Sequence, residues 1–244
     1  FGPELEGFNI EKLIKFIEKK FIKKLDPIYN CIKKTKSNNL LKNKNLIGFI
    51  GAPWTLLVYM INKQSPKLNL IKNFFNDKKL IEIILQLLDK FLKIHIKKQI
   101  DSGAQVIQIF DSWAGLLPEK DLVDYVYEPT VKLVEYINTL KVPVICFPKG
   151  IKSYKRYCEE VKPDVISIDY NVDPNQILKD IKIPIQGGMS PEILLSDKEN
   201  LKKEAKRYLD IFKDHPYIFN LGHGVLPETN PSMMEYLVKI VKDY

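Results

Sequence analysis

The chain of 244 residues is 45% hydrophobic and 28% charged, an ordinary globular composition that excludes a disordered tail and suits one large domain or two small ones. No apolar run approaches the roughly 20 residues that span a bilayer. The formal charge of +8 invites a nucleic-acid reading, but only Arg156 and Arg207 carry the guanidinium fork that clamps phosphates and reads bases, and the lysines fall on the polar faces of amphipathic segments. The expectation is therefore a solvated basic surface, with neither nucleic acid nor membrane as a partner.

Lys33–Lys44 is the most polar stretch and reads as a surface loop or a frayed helix end. After it, six short apolar runs recur at 46–50, 106–110, 142–147, 165–168, 183–186 and 217–221. Lacking polar alternation, they read as strands buried on both faces. Between them, 78–100 places Leu80, Ile83, Ile84, Leu87, Leu88, Phe91, Leu92 and His95 at helical spacing, with Gly103 as a stop signal. Segments 119–140 and 192–212 read as similar helices, the latter opened by Ser190-Pro191, and Asp173-Pro174 opens a shorter one. Three cysteines, Cys31, Cys146 and Cys158, are odd in number and show no disulfide spacing, as in a reducing compartment. Cys146 lies within a strand and reads as core.

This alternation predicts an α/β protein with parallel strands. Unusual residues follow nearly every strand: Gly51-Ala52-Pro53-Trp54, Asp111-Ser112-Trp113, Pro148-Lys149-Gly150, Asp169-Tyr170, Gly187-Gly188-Met189 and Gly222-His223-Gly224. Chemistry spread over the carboxyl ends of many strands is the habit of a (β/α)8 TIM barrel, whereas open sheets gather it at one switch point. Six of the eight βα units are readable, in one domain over 1–244. Because the first residue is Phe1 and not methionine, the chain is read as a fragment whose amino-terminal strands, and any targeting segment, lie before it.

Gly48-Phe49-Ile50-Gly51-Ala52-Pro53-Trp54-Thr55-Leu56, followed by Tyr59, resembles the GFxGAPWTLxxY segment of the uroporphyrinogen decarboxylase family. Phe110-Asp111-Ser112-Trp113-Ala114-Gly115 resembles that family's FDSWAG segment, and Phe147-Pro148-Lys149-Gly150, Ile168-Asp169-Tyr170, Gln186-Gly187 and Asn220-Leu221-Gly222-His223-Gly224 resemble further family segments in order. The resemblance implies a (β/α)8 barrel acting as a homodimer on a tetrapyrrole. The activity it implies is removal of four acetate carboxylates from uroporphyrinogen to give coproporphyrinogen in heme biosynthesis, in cytosol or plastid. It also implies no metal and no organic cofactor, because a protonated pyrrole ring is itself the electron sink that other decarboxylases borrow. The protein then has to supply a proton donor, groups that hold carboxylates and a dry pocket.

The resemblance makes Tyr59, Ser112 and His223 the substrate-binding candidates. Tyr59 otherwise reads as an aromatic packed on a helix two turns beyond its strand, and Ser112 as a helix N-cap. His223 lies between two glycines where backbone can approach a ligand, and its imidazole suits carboxylate binding or proton transfer. His95, on an apolar helical face, and His215, before Pro216, read as structural. Asp111, Asp169 and Lys149 are weaker candidates, each carboxylate having backbone capping as its alternative role; Trp54 and Trp113 read as wall or rim packing. The family's substrate-gripping arginines and its aspartate facing the pyrrole nitrogens correspond to positions before Phe1, so no catalytic residue is assigned. The 244-residue chain alone is expected not to turn over substrate and to expose two sheet edges. Gly188 and Ser190 stand where the family usually has asparagine and aspartate; a glycine keeps the turn and a serine can still cap. The alternative is a corrinoid- or zinc-linked methyltransferase on the same fold, which would need a thiolate and histidine ligand set, yet no His-x-Cys occurs. A basic module binding nucleic acid or anionic membrane is a third reading, and a non-catalytic relative a fourth.

Overall fold

The computed structural model describes residues 18–62 and 77–244, together with Lys15, Pro66 and Phe75. The chain divides into two compact units, Phe1–Lys152 with Glu160–Pro163, and Ser153–Glu159 with Asp164–Tyr244.

In the first unit, helix α1 (Glu18–Lys36) precedes strand β1 (Ile47–Gly51), helices α2 (Pro53–Asn62) and α3 (Lys78–Asp101), strand β2 (Val106–Asp111), helix α4 (Glu128–Thr139) and strand β3 (Val144–Pro148). β1 pairs in parallel with β2 and β2 with β3, with Gly51 opposite Phe110 and Phe110 opposite Phe147. The apolar stripe expected on α3 is real: Ile81, Ile84, Phe91, Leu92 and Ile96 are buried, and Gly103 follows at φ +117°. His95 accepts or donates a 3.1 Å hydrogen bond with the Tyr29 hydroxyl, and burial lowers its pKa below the ordinary histidine value, so its role is packing. Lys33–Lys44 forms the exposed end of α1 and the turn beyond it.

The second unit carries strands β4 (Val165–Ile168), β5 (Ile185–Gly187) and β6 (Tyr217–Ile218), again paired in parallel in that order. Helices α6 (Pro174–Asp180), α7 (Lys198–Phe212) and α8 (Pro231–Lys242) follow them, and α5 (Tyr154–Val161) precedes β4 at the division between the units. Ile166, Ile168, Ile185, Met189, Leu201, Ala205, Tyr208 and Phe212 form its core. His215 bonds the Ile183 carbonyl through Nε2 at 3.0 Å, a structural role as expected.

Three expectations change. The segment 119–140 is not one helix but a 3-10 turn (Glu119–Asp121), a π-helical turn (Val123–Tyr127) and then α4. Pro129 has no N–H to offer the carbonyl four residues back and its ring crowds that carbonyl, so the chain opens into the wider turn before α4. Likewise 192–212 is split: Ser190 caps a 3-10 turn over Pro191–Leu195, and Asp197, accepting from the Asn200 amide at 2.8 Å, starts α7 anew. Finally, burial on both faces holds for β3, β4 and β5 but fails for β1 and β6. Phe49 in β1 is 64% exposed. Its backbone is nevertheless satisfied: Gln99 of α3 accepts from the Phe49 N–H at 3.1 Å and donates to its carbonyl at 2.9 Å, as a neighbouring strand would.

Cys146 is fully buried in β3, and none of the three cysteines is disulfide-bonded; burial pushes the Cys158 thiol up to about 12. Among the described residues no helix is long and apolar enough to cross a membrane.

Candidate active site

In the first unit the chemistry gathers where β2 ends. Pro53, at the first position of α2, starts that helix immediately after β1, so Thr55 and Tyr59 stand one turn apart on the same side of it. Thr55 is buried and donates its hydroxyl hydrogen to Asp111 Oδ1 at 2.6 Å, while the Trp113 backbone N–H donates to the same hydroxyl oxygen at 3.3 Å. The Trp54 indole N–H donates to the Trp113 carbonyl at 2.8 Å. From the other side, the Lys149 N–H donates to the Asp111 carbonyl and the Gly115 N–H to the Lys149 carbonyl, each at 3.0 Å. A Cβ at Gly115 would lie 2.6 Å from the Gly150 carbonyl oxygen, so only glycine fits there.

These bonds present the candidates. Tyr59, half-buried on α2, meets the Trp113 ring edge-on at 6.1 Å, which brings it beside the turn that carries Ser112. Ser112 is half-buried, and the short turn after it begins at Trp113 with no side-chain cap, so the N-cap role is not taken up. Its hydroxyl remains available to a ligand. Trp54 is fully buried and packs the base of the turn. The backbone of Lys149 is part of the turn and its residue is half-buried.

Asp111 is 2% exposed. Among the described residues its buried Oδ2 has no hydrogen-bond partner, nor has the buried Trp113 indole nitrogen. Desolvation pushes the Asp111 carboxyl up to about 7 against the opposing pull of the Thr55 hydrogen bonds. Two dry, unpaired polar atoms at one strand end are a cost that the rest of the fold carries.

Sequence reasoning passed over two features of this cluster. One is Thr55, for which a hydroxyl two places after the helix-starting Pro53 is the available signal. The other is an aromatic row: the Phe49 and Phe110 rings meet edge-on at 5.9 Å and the Phe110 and Phe147 rings at 6.0 Å. Strand register puts all three on one face, opposite to the face that carries Asp111. The first unit therefore carries an apolar row on one strand face, with Phe49 exposed, Phe110 half-buried and Phe147 buried.

In the second unit His223 is exposed and meets the Tyr170 ring at 6.5 Å. Gly222 makes this approach possible: its N–H donates to the Met189 carbonyl at 2.7 Å, and a Cβ there would fall 2.5 Å from the Tyr170 nitrogen. Gly187 and Gly188, at φ +88° and +98°, carry β5 into the neighbouring loop, and Ser190 accepts from the Glu192 amide at 3.3 Å. The substitutions at 188 and 190 thus keep turn and cap. Asp169 takes the capping role weighed against function: it is 1% exposed and accepts from the Asn171 N–H at 2.9 Å and the Tyr154 hydroxyl at 3.0 Å. Among the described residues, no group of three or more His, Cys, Asp or Glu side chains could hold a metal ion.

The family model described as uroporphyrinogen decarboxylase matches residues 3–244. Proteins named uroporphyrinogen decarboxylase from Rickettsia bellii and Wolbachia pipientis are 38% and 40% identical to the chain, both matches covering 100% of the chain. The chain spans 73% and 72% of those two relatives. Among solved structures, a methyltransferase from Methanosarcina mazei matches 88% of the chain at TM-score 0.68 and 16% identity, the chain spanning 63% of it. A B12-independent methionine synthase from Shewanella matches at TM-score 0.52 and 15% identity. Likeness at that identity is one of fold.

Proposed function

The chain belongs to the uroporphyrinogen decarboxylase family, a family of carboxy-lyases, and on that premise we propose that Tyr59, Ser112 and His223 bind the substrate of that reaction. In this reading the chain is part of one barrel domain that works as a homodimer. It acts on the acetate side chains of uroporphyrinogen, releasing carbon dioxide and leaving methyl groups. Protonation of a pyrrole carbon makes the ring the electron sink, and reprotonation of the methylene after loss of carbon dioxide completes the exchange.

The single observation that carries the reading is the apolar face of Phe49, Phe110 and Phe147 beside a strand-end turn that presents Ser112, with Tyr59 packed against it. A macrocycle stacks on apolar carbon, while hydroxyl donors take up the carboxylates around its rim. His223 supplies an exposed imidazole for a rim carboxylate or for moving a proton.

The test supplies the full-length gene product with freshly reduced uroporphyrinogen under anaerobic conditions and separates the oxidised products by carboxylate number. Stepwise loss of four carboxylates, slowed in His223→Ala, Tyr59→Phe and Ser112→Ala, is expected. Unchanged rates in all three variants would remove these residues from the site. Binding without loss of any carboxylate would make the gene product a non-catalytic relative.

A further inference from the structure

We propose that Asp111 and Thr55 form a clasp that positions the two hydroxyls of the first unit as one body, Thr55 tying the helix that carries Tyr59 to the turn that carries Ser112. This rests on the reading of Tyr59 and Ser112 as substrate-binding groups and adds positioning residues behind them.

Three observations converge. First, the Thr55 hydroxyl is used twice, donating to Asp111 Oδ1 at 2.6 Å and accepting from the Trp113 N–H at 3.3 Å, so it grips the strand end on both sides of Ser112. Second, Thr55 and Tyr59 are four residues apart on α2, so a shift that breaks the clasp carries Tyr59 with it. Third, the Tyr59 ring rests on Trp113, the residue whose backbone the clasp holds. Asp111 lies on the strand face opposite the aromatic row, toward α2, and so acts through Ser112 and Tyr59 without touching a ligand on that row.

The carboxylic acid form suits this placement. The buried Oδ2 has no hydrogen-bond partner among the described residues: the groups bonded to Asp111 there are the Thr55 hydroxyl from α2, whose titratable residue is Tyr59, and the backbone N–H of Lys149 after β3. Desolvation is the leading cause of the raised value near 7 and the Thr55 hydrogen bonds oppose it. Ionisation near neutrality therefore loads the clasp with a charge that must be solvated, and the turn is what has to give.

Both tryptophans of the chain, Trp54 and Trp113, are bonded into this turn, so their fluorescence reports on it without any ligand. The wild-type chain should show an emission change with a midpoint near pH 7. Asp111→Asn, which keeps an acceptor for Thr55 but cannot ionise, should abolish it. Thr55→Val should move the midpoint up, because a hydrogen bond that favours the carboxylate is gone, and Thr55→Ser should restore the wild-type curve. A transition that persists in Asp111→Asn, or a midpoint unmoved in Thr55→Val while circular dichroism shows the fold retained, overturns the proposal.

The second arm measures uroporphyrinogen binding in a cycle of Tyr59→Phe and Ser112→Ala. In the wild-type background the two effects should depart from additivity by about three- to tenfold, and in Thr55→Val they should become additive. Additivity in both backgrounds also overturns the clasp. If no variant and no wild-type chain binds the tetrapyrrole, it is the functional reading that fails, and the fluorescence arm alone decides the clasp.

Discussion

The Tyr154 hydroxyl donates to Asp169 Oδ2 at 3.0 Å, joining the first turn of α5 to the end of β4 with both side chains buried. Burial first, and the neighbouring Asp169 second, hold the phenol protonated well above its usual range. Asp169 also accepts from the Asn171 N–H and so shapes the turn in which Tyr170 meets His223. Tyr154→Phe deletes the donor and leaves a buried carboxyl oxygen short of it, which should cost about 1–3 kcal/mol in urea unfolding. A loss below a few tenths would show that the bond is not maintained in solution.

Gly222 is the neighbour on which this turn closes. A Cβ 2.5 Å from the Tyr170 nitrogen and 2.9 Å from the Asp169 carbonyl carbon meets backbone, which cannot swing aside. Gly222→Ala should therefore cost about 1–3 kcal/mol and displace His223 from Tyr170. Gly224→Ala, where a Cβ meets nothing within 4 Å, is the control and should unfold as the wild type does. Equal effects of the two would contradict the close approach.

Asp111 makes stability depend on pH in a direction opposite to the common acid case. Its carboxyl rises from 3.8 in the unfolded chain to about 7 in the folded one. Between those values the folded chain keeps a proton that the unfolded chain has released, so the contribution of Asp111 to stability is full below about pH 4 and is lost as pH rises to about 7. The span corresponds to about 4 kcal/mol. Asp111→Asn escapes it, so between pH 4 and pH 8 the variant should gain a comparable amount on the wild type in unfolding midpoints converted to free energy. Parallel curves for the two proteins would assign the dependence elsewhere.

Gln99 stands in for a strand along β1, bonding both polar groups of Phe49 while 3% exposed itself. Gln99→Leu keeps the volume but strips both partners from an edge whose side chain is already in solvent. Faster aggregation by light scattering is expected, with about 1–2 kcal/mol lost in unfolding. An unchanged aggregation rate would mean that the glutamine is not what protects the edge.

Much of the architecture was legible because each element writes its own period into the chain. The run of apolar residues from Leu80 to Leu92 has to be a helix that buries one stripe, and Val165–Ile168 is legible to the residue because three apolar residues around Ser167, flanked by a proline-aspartate and an aspartate, leave little else. Where two local signals compete, the periodicity misled. The stripe through 119–140 runs on in sequence, but Pro129 withholds one donor and the backbone widens into a π turn. At 192–212, Asp197 captures a backbone amide and restarts the helix. The burial of β1 was misjudged for a different reason: an apolar run reports what could be buried, and Phe49 keeps its polar backbone paired through Gln99 while its ring stays exposed.

The sequence by itself determined the alternation of strands and helices, the concentration of chemistry at the strand ends, the family, and the identity of Tyr59, Ser112 and His223 as the residues to watch. All of these are written in local spacing and in short motifs. Only the tertiary structure decided which neighbours those residues keep. Thr55 and Asp111 are 56 positions apart and meet at 2.6 Å, and Tyr154 reaches across 15 positions to Asp169. Such pairs leave no period in the chain, because a hydrogen bond depends on distance in space while a motif depends on distance along the backbone. The protonation of Asp111 follows the same rule: its residue type predicts a carboxylate, and the loss of water around it, a property of the packed fold, makes it an acid near neutrality.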